Sequence, residues 1–106
     1  MALDVLAGFA NKRKIIITPG MIELGSKENE LNTILGQFIA EVCDYVILVG
    51  VKQTAALQRG LSVKHYPQEC LFVADSFASA RKHLEHILRP GDVVLFENDL
   101  PDNYSE

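Results

Sequence analysis

The sequence predicts a small three-layer α/β sandwich built on a mainly parallel sheet of about four strands. Three observations lead there. Four short runs rich in β-forming residues recur at positions 14–18 (KIIIT), 45–50 (YVILVG), 70–74 (CLFVA) and 92–97 (DVVLFE). They are continuously apolar instead of alternating, the mark of strands covered on both faces. The segments between them carry helical patterning, and strands that alternate with helices at this spacing need right-handed crossovers, which leave helices on both sides of the sheet.

At the front, Leu3, Leu6 and Phe9 suggest the end of a helix. After the first strand, apolar residues at Leu31, Ile34, Leu35, Phe38, Ile39 and Val42 fall on one helical stripe over three turns. After the second strand, residues 53–61 show a weaker apolar face that ends at Gly60 and the turn of His65, Tyr66 and Pro67. The last helix follows Asp75 and Ser76, either of which can cap its first N–H groups. Its stripe is Phe77, Ala80, Leu84, Ile87 and Leu88, and it stops at Pro90 and Gly91. The layout is α-β-α-β-α-β-α-β over one domain, residues 1–106.

Composition narrows the functional classes. The chain has 106 residues, 48% hydrophobic and 23% charged, with a net charge of -4. That is the composition of a globular domain. With no basic stripe to neutralise a phosphate backbone, nucleic-acid binding is not expected. No apolar run approaches the roughly 20 residues that cross a bilayer, and residues 1–9 do not read as a secretory leader. The expected location is the cytoplasm. Cys43 ends an apolar helix and Cys70 opens an apolar strand, so both read as reduced core thiols. His83 and His86, three apart on a helix, read as a solvated face, because Arg81, Lys82 and Glu85 around them offer no complete metal set.

In a parallel sheet, ligands bind outside the carboxyl ends of the strands. Two strand-end loops stand out there. The first runs Thr18, Pro19, Gly20, Met21, Ile22, Glu23, Leu24, Gly25, with Glu23 as its carboxylate between two glycines. Glu23 either contacts a ligand, stays solvated or caps the next helix. The last runs from Glu97 to Tyr104, where Asn98, Asp99, Asp102 and Asn103 supply carboxylate and amide oxygens suited to Mg²⁺ or a cationic substrate group. The same residues also fit a solvated acidic tail. Lys52 follows the second strand and precedes a helix, where an anion could be received. Neither Gly-x-x-x-x-Gly-Lys-Ser/Thr nor Gly-x-Gly-x-x-Gly occurs, so no nucleotide fingerprint is present. No metal site and no catalytic residue are expected.

The run from Thr18 to Gly25 resembles the Gly-Asp-Met-x-Glu-Leu-Gly loop of the Mur ligases, in particular those that add D-alanyl-D-alanine to the muramyl peptide. Further pieces fall in the order of that family: Ala2-Leu3-Asp4-Val5-Leu6, Cys43-Asp44-Tyr45-Val46, Val73-Ala74-Asp75-Ser76 and Pro90-Gly91-Asp92-Val93-Val94-Leu95. The resemblance implies a Rossmann-like C-terminal domain that closes over a central ATPase domain and helps bind the incoming amino acid or dipeptide. It implies ATP-dependent amide formation through an acyl phosphate, with ATP, Mg²⁺ and the UDP-muramyl peptide handled by the full-length parent. The N-terminal substrate domain and the central ATPase domain are absent here, so no cofactor and no ligation are expected of the isolated domain. Two departures mark the chain: Gly20 stands where those ligases have aspartate, and Glu97-Asn98-Asp99 where they have Lys-Gly-Ser. Cation has become anion, which inverts the local field and points to a different substrate contact.

A second reading is a free-standing receiver- or flavodoxin-like binding or regulatory module, in which Asp75 would be the phosphoacceptor. Its first strand, however, ends in Thr18 and Pro19 without the acidic pair a receiver needs. An enzyme in its own right would require a nucleophile beside a base, and no such motif is present.

Overall fold

The computed structural model describes residues 6–9, 11–21 and 25–97. Its elements are β1 (Lys14–Thr18), α1 (Glu28–Val42), β2 (Tyr45–Val49), α2 (Ala55–Val63), β3 (Leu71–Ala74), α3 (Phe77–Ile87) and β4 (Val93–Phe96). Short 3₁₀ turns at Gly25–Lys27 and Gln68–Cys70 lead into α1 and β3. Of the helix expected at the front, Leu6 and Ala7 are described and helical, and Leu6 is buried.

The sheet has the order β3-β2-β1-β4, and every pair is parallel. This is the 3-2-1-4 order of a Rossmann-like sheet, not the 2-1-3-4-5 order of flavodoxin-like proteins. The chain winds from β1 outward to β3, then returns across the whole sheet to lay β4 on the free side of β1. Right-handed crossovers therefore place α1 and α2 on one face and α3 on the other.

The alternation of strand side chains sorts the core into two layers. Ile16, Val46 and Leu48 meet Leu35 and Ile39 of α1, Leu57 and Leu61 of α2, Cys43 and Leu6. On the opposite face Ile15, Ile17, Ile47, Val49 and Ala74 meet Ala80 and Leu84 of α3. The central strands β1 and β2 are buried on both faces, as their continuous apolar runs predict. The edge strands are only half-buried, and Phe96 is 50% exposed.

Two helix readings change. Gly60 does not end α2. It lies inside the helix, which runs on to Val63. A Cβ on Gly60 would overlap the Thr33 carbonyl oxygen and stand 3.0 Å from Gly36 Cα; one on Gly36 would overlap the Leu57 carbonyl oxygen. Both glycines are there because the helix backbones touch. The stripe of α1 also divides: Leu35 and Ile39 are buried, but Ile34 is 54% and Phe38 42% exposed. At the start of α3 the cap is Ser76, whose Oγ accepts from the Ser79 N–H at 3.1 Å.

The amino end of the sheet is closed by an ion-pair latch. Arg13 donates through Nε and Nη2 to the Asp92 carboxylate (3.0–3.2 Å) and through Nη2 to the Ile87 carbonyl at the end of α3 (2.6 Å). The Arg89 N–H donates to the same carboxylate at 2.9 Å. One residue thus ties the entry to β1, the exit of α3 and the entry to β4. Burial alone would raise the Asp92 carboxyl, yet the hydrogen bonds from Arg13 and the Arg89 N–H hold it below its ordinary 3.8.

Replacing Gly60 with alanine should lower the stability by about 1–3 kcal/mol in urea denaturation, despite the better helix propensity of alanine, because the extra carbon forces the helices apart. A variant as stable as the parent would contradict the backbone contact. A carboxylate whose folded pKa is lowered stabilises above its unfolded value and loses that contribution as pH falls through the folded one. The thermal midpoint should therefore fall with acidification below pH 3.8, the ordinary value of this carboxyl. Asp92→Asn should flatten that part of the profile, and an unaltered acid slope would show that the latch is not its source.

Candidate functional site

In a sheet of this order the crevice opens where the winding reverses, between β1 and β4. Both loops singled out in the sequence are rooted there. Ile17 pairs in register with Phe96, and the Glu97 N–H donates to the Ile17 carbonyl at 3.0 Å. The chain thus leaves β1 at Thr18 and β4 at Glu97 from neighbouring positions.

The β1 root is rigidly held. Thr18 is fully buried, and its Oγ accepts from the Gly20 N–H at 2.9 Å. Gly20 takes φ +81°, a left-handed backbone that glycine adopts without cost. A Cβ there would stand 2.8 Å from both Asn32 Oδ1 and Leu57 Cδ1. Gly20 is therefore built into this conformation.

Asn32 of α1, 2% exposed, holds the next residue. Its Oδ1 accepts from the Met21 N–H at 2.8 Å, and its Nδ2 donates to the Met21 carbonyl at 2.7 Å and the Glu28 carbonyl at 2.9 Å. A side-chain amide that makes both backbone bonds of Met21 substitutes for a sheet partner just where the sheet ends. The sequence signal for it was a polar residue on the inward side of an otherwise apolar helix. Beside it Met21, Leu31, Ile34, Leu35 and Phe38 line an apolar groove of about 180 Å³.

Of the expected ligand residues, Glu23 in the first loop and Asn98, Asp99, Asp102 and Asn103 in the last lie outside the described residues. Lys52 is exposed on the turn between β2 and α2, on the other side of β1 from β4. That turn is fixed by Gly50, at φ +98°, and by Thr54, whose N–H (3.1 Å) and Oγ (2.6 Å) both donate to the Gly50 carbonyl. Asp75, at the end of β3, is exposed.

The cysteines are free thiols, Cys43 buried and Cys70 half-buried. Burial, with the charge of Asp44, pushes the Cys43 thiol up to about 12, which leaves no thiolate for chemistry at neutral pH. Among the described residues no group of three His, Cys, Asp or Glu side chains could hold a metal, and no helix is long and apolar enough to cross a membrane. The expected solvated histidine face is corrected at one position. His86 is exposed, but His83 is half-buried, stacked on Phe72 and hydrogen-bonded to Tyr45.

No protein-family model matches the chain, and no curated protein matches it.

Asn32→Ala removes three hydrogen bonds and leaves the Met21 backbone unpaired, so it should cost about 2–4 kcal/mol. The Met21 amide should also exchange faster than those of β1. Retained protection at Met21 would mean that another group holds the loop.

Proposed function

We propose that the chain is the substrate-binding C-terminal domain of an ATP-dependent amide (peptide) ligase of peptidoglycan precursor synthesis, a cytoplasmic protein, and inactive on its own. The observation that supports this reading most directly is the common origin of the two loops. The stretch that resembles the Met-x-Glu-Leu-Gly loop leaves β1, and the acidic stretch leaves β4, from paired positions at the point where the winding reverses. Loops so rooted can act on one ligand.

In this reading Glu23 offers a carboxylate to the ammonium group of the incoming amino acid or dipeptide. Asn98, Asp99, Asp102 and Asn103 supply the amide and carboxylate oxygens on the other side. Holding the amine in place turns its attack on an acyl phosphate into an effectively intramolecular step. The chain's own residues do not fit a nucleotide: neither phosphate-loop pattern occurs in it. ATP, Mg²⁺ and the UDP-muramyl peptide therefore belong with the parent's central ATPase domain, the partner over which this domain would close. Lys52 is the residue here that could reach a phosphate from that side. The strand order counts against the receiver or flavodoxin alternative.

The reading predicts that the parent gene encodes a Gly-Lys-Ser/Thr phosphate loop upstream of this segment. It further predicts that ATP-dependent phosphate release by the full-length parent, with candidate dipeptides, falls at least tenfold (about 1.4 kcal/mol) in Glu23→Ala or Asn98→Ala. Unchanged rates in both variants, or a complete reading frame without an upstream ATPase domain, would refute it.

A further inference from the structure

The two faces of the sheet are held by different means. Under α1 and α2 lie four large buried helix side chains, Leu35, Ile39, Leu57 and Leu61, and the glycine crossing. Under α3 the buried helix residues are Ala80 and Leu84 alone among the described residues, flanked by half-buried Phe77 and Ile87. The middle of α3 is instead seated by an imidazole. His83 lies flat on Phe72 of β3, ring centroids 3.8 Å apart and planes 5° from parallel, with Nε2 2.7 Å from the Tyr45 hydroxyl of β2. A neutral ring accepts the tyrosine proton at Nε2. Once protonated, that nitrogen is itself a donor, and the phenol must turn its own proton elsewhere in a half-buried contact.

We propose that α3 is an acid-responsive element: proton uptake at the Tyr45–His83–Phe72 contact loosens this helix from the β2–β3 face while the α1–α2 layer stays seated. The groups around the contact support it. From β2 comes Tyr45, whose phenol burial raises above its ordinary 10.0, with the Cys70 thiol adding to the rise and the Arg13 guanidinium opposing it. From α3 itself comes His86, one turn along, which is a like charge once both rings are protonated; Lys82 and Glu85 are exposed. Burial first and His86 second hold the His83 imidazole below its ordinary 6.5. A base with a lowered folded pKa gives its full stability above the unfolded value and loses it as pH falls from there through the folded one. The window therefore opens just below pH 6.5. The Arg13–Asp92 latch, ionised down to below 3.8, keeps the carboxyl end of α3 tethered through that window. The result is a helix that opens about its latched end rather than one that leaves.

The test is amide hydrogen exchange of the full chain between about pH 7.5 and 5.5, corrected for intrinsic rates, with the histidine rings titrated by NMR. The α3 amides should lose about threefold or more protection relative to those of α1, along the His83 titration curve, since local opening is read directly as lost protection. His83→Gln should abolish that difference. Equal loss in α1 and α3, unchanged α3 protection, or a pH dependence that survives in His83→Gln would overturn the proposal. Should His83→Gln not fold, the wild-type comparison of α3 with α1 and with the His83 midpoint decides it.

Discussion

Where α1 crosses α2, Gly36 and Gly60 meet backbone to backbone, and much of the molecule follows from that approach. Neither position has room for a Cβ, because the carbonyl oxygens of Leu57 and Thr33 occupy the space. Close approach brings Leu35, Ile39, Leu57 and Leu61 together over β1 and β2, where all four are buried. It also fixes the rotation of α1, and so the direction of Asn32, whose amide completes the Met21 backbone at the end of β1. Leu57 takes part twice: its carbonyl lies against Gly36 and its side chain against Gly20. The crossing is thus mechanically connected to the root of the β1 loop.

The opposite face has a different character. The buried contribution of its helix is small, and the seating depends on polar contacts along its length: the Ser76 cap at the start, the His83 stack in the middle and the Arg13–Asp92 latch at the end. Local stability follows the density of buried apolar contact. The fold therefore has one layer locked by packing and another held by groups that change charge.

The strands were legible because a strand buried on both faces reads as an uninterrupted apolar run, and the four runs match the four strands to within one residue at each end. Strand order was not legible from the runs themselves, since β4 reads no differently from its neighbours and its place beside β1 is set by the return crossover. Gly60 was misread as a stop because a glycine that ends a helix and a glycine that admits a second backbone look the same until the partner, Gly36, is placed opposite. His83 was assigned to solvent with His86; the two differ only in that one points at Phe72 and Tyr45 on strands distant in sequence. The stripe of α1 was read whole, whereas its outer side, Ile34 and Phe38, lies beyond the reach of the sheet. At the candidate site Asn32, which holds Met21 at the end of β1, was hidden inside a helical pattern.

These connections make the β1 root a product of helix packing as much as of its own turn chemistry. A double-mutant cycle between Gly60→Ala and Asn32→Ala, read by urea denaturation, tests this most directly. The account predicts a coupling energy of about 0.5–3 kcal/mol, because parting the helices already loosens the Asn32 bonds. Strictly additive losses would contradict it, and would make the loop at the head of β1 independent of the helix crossing.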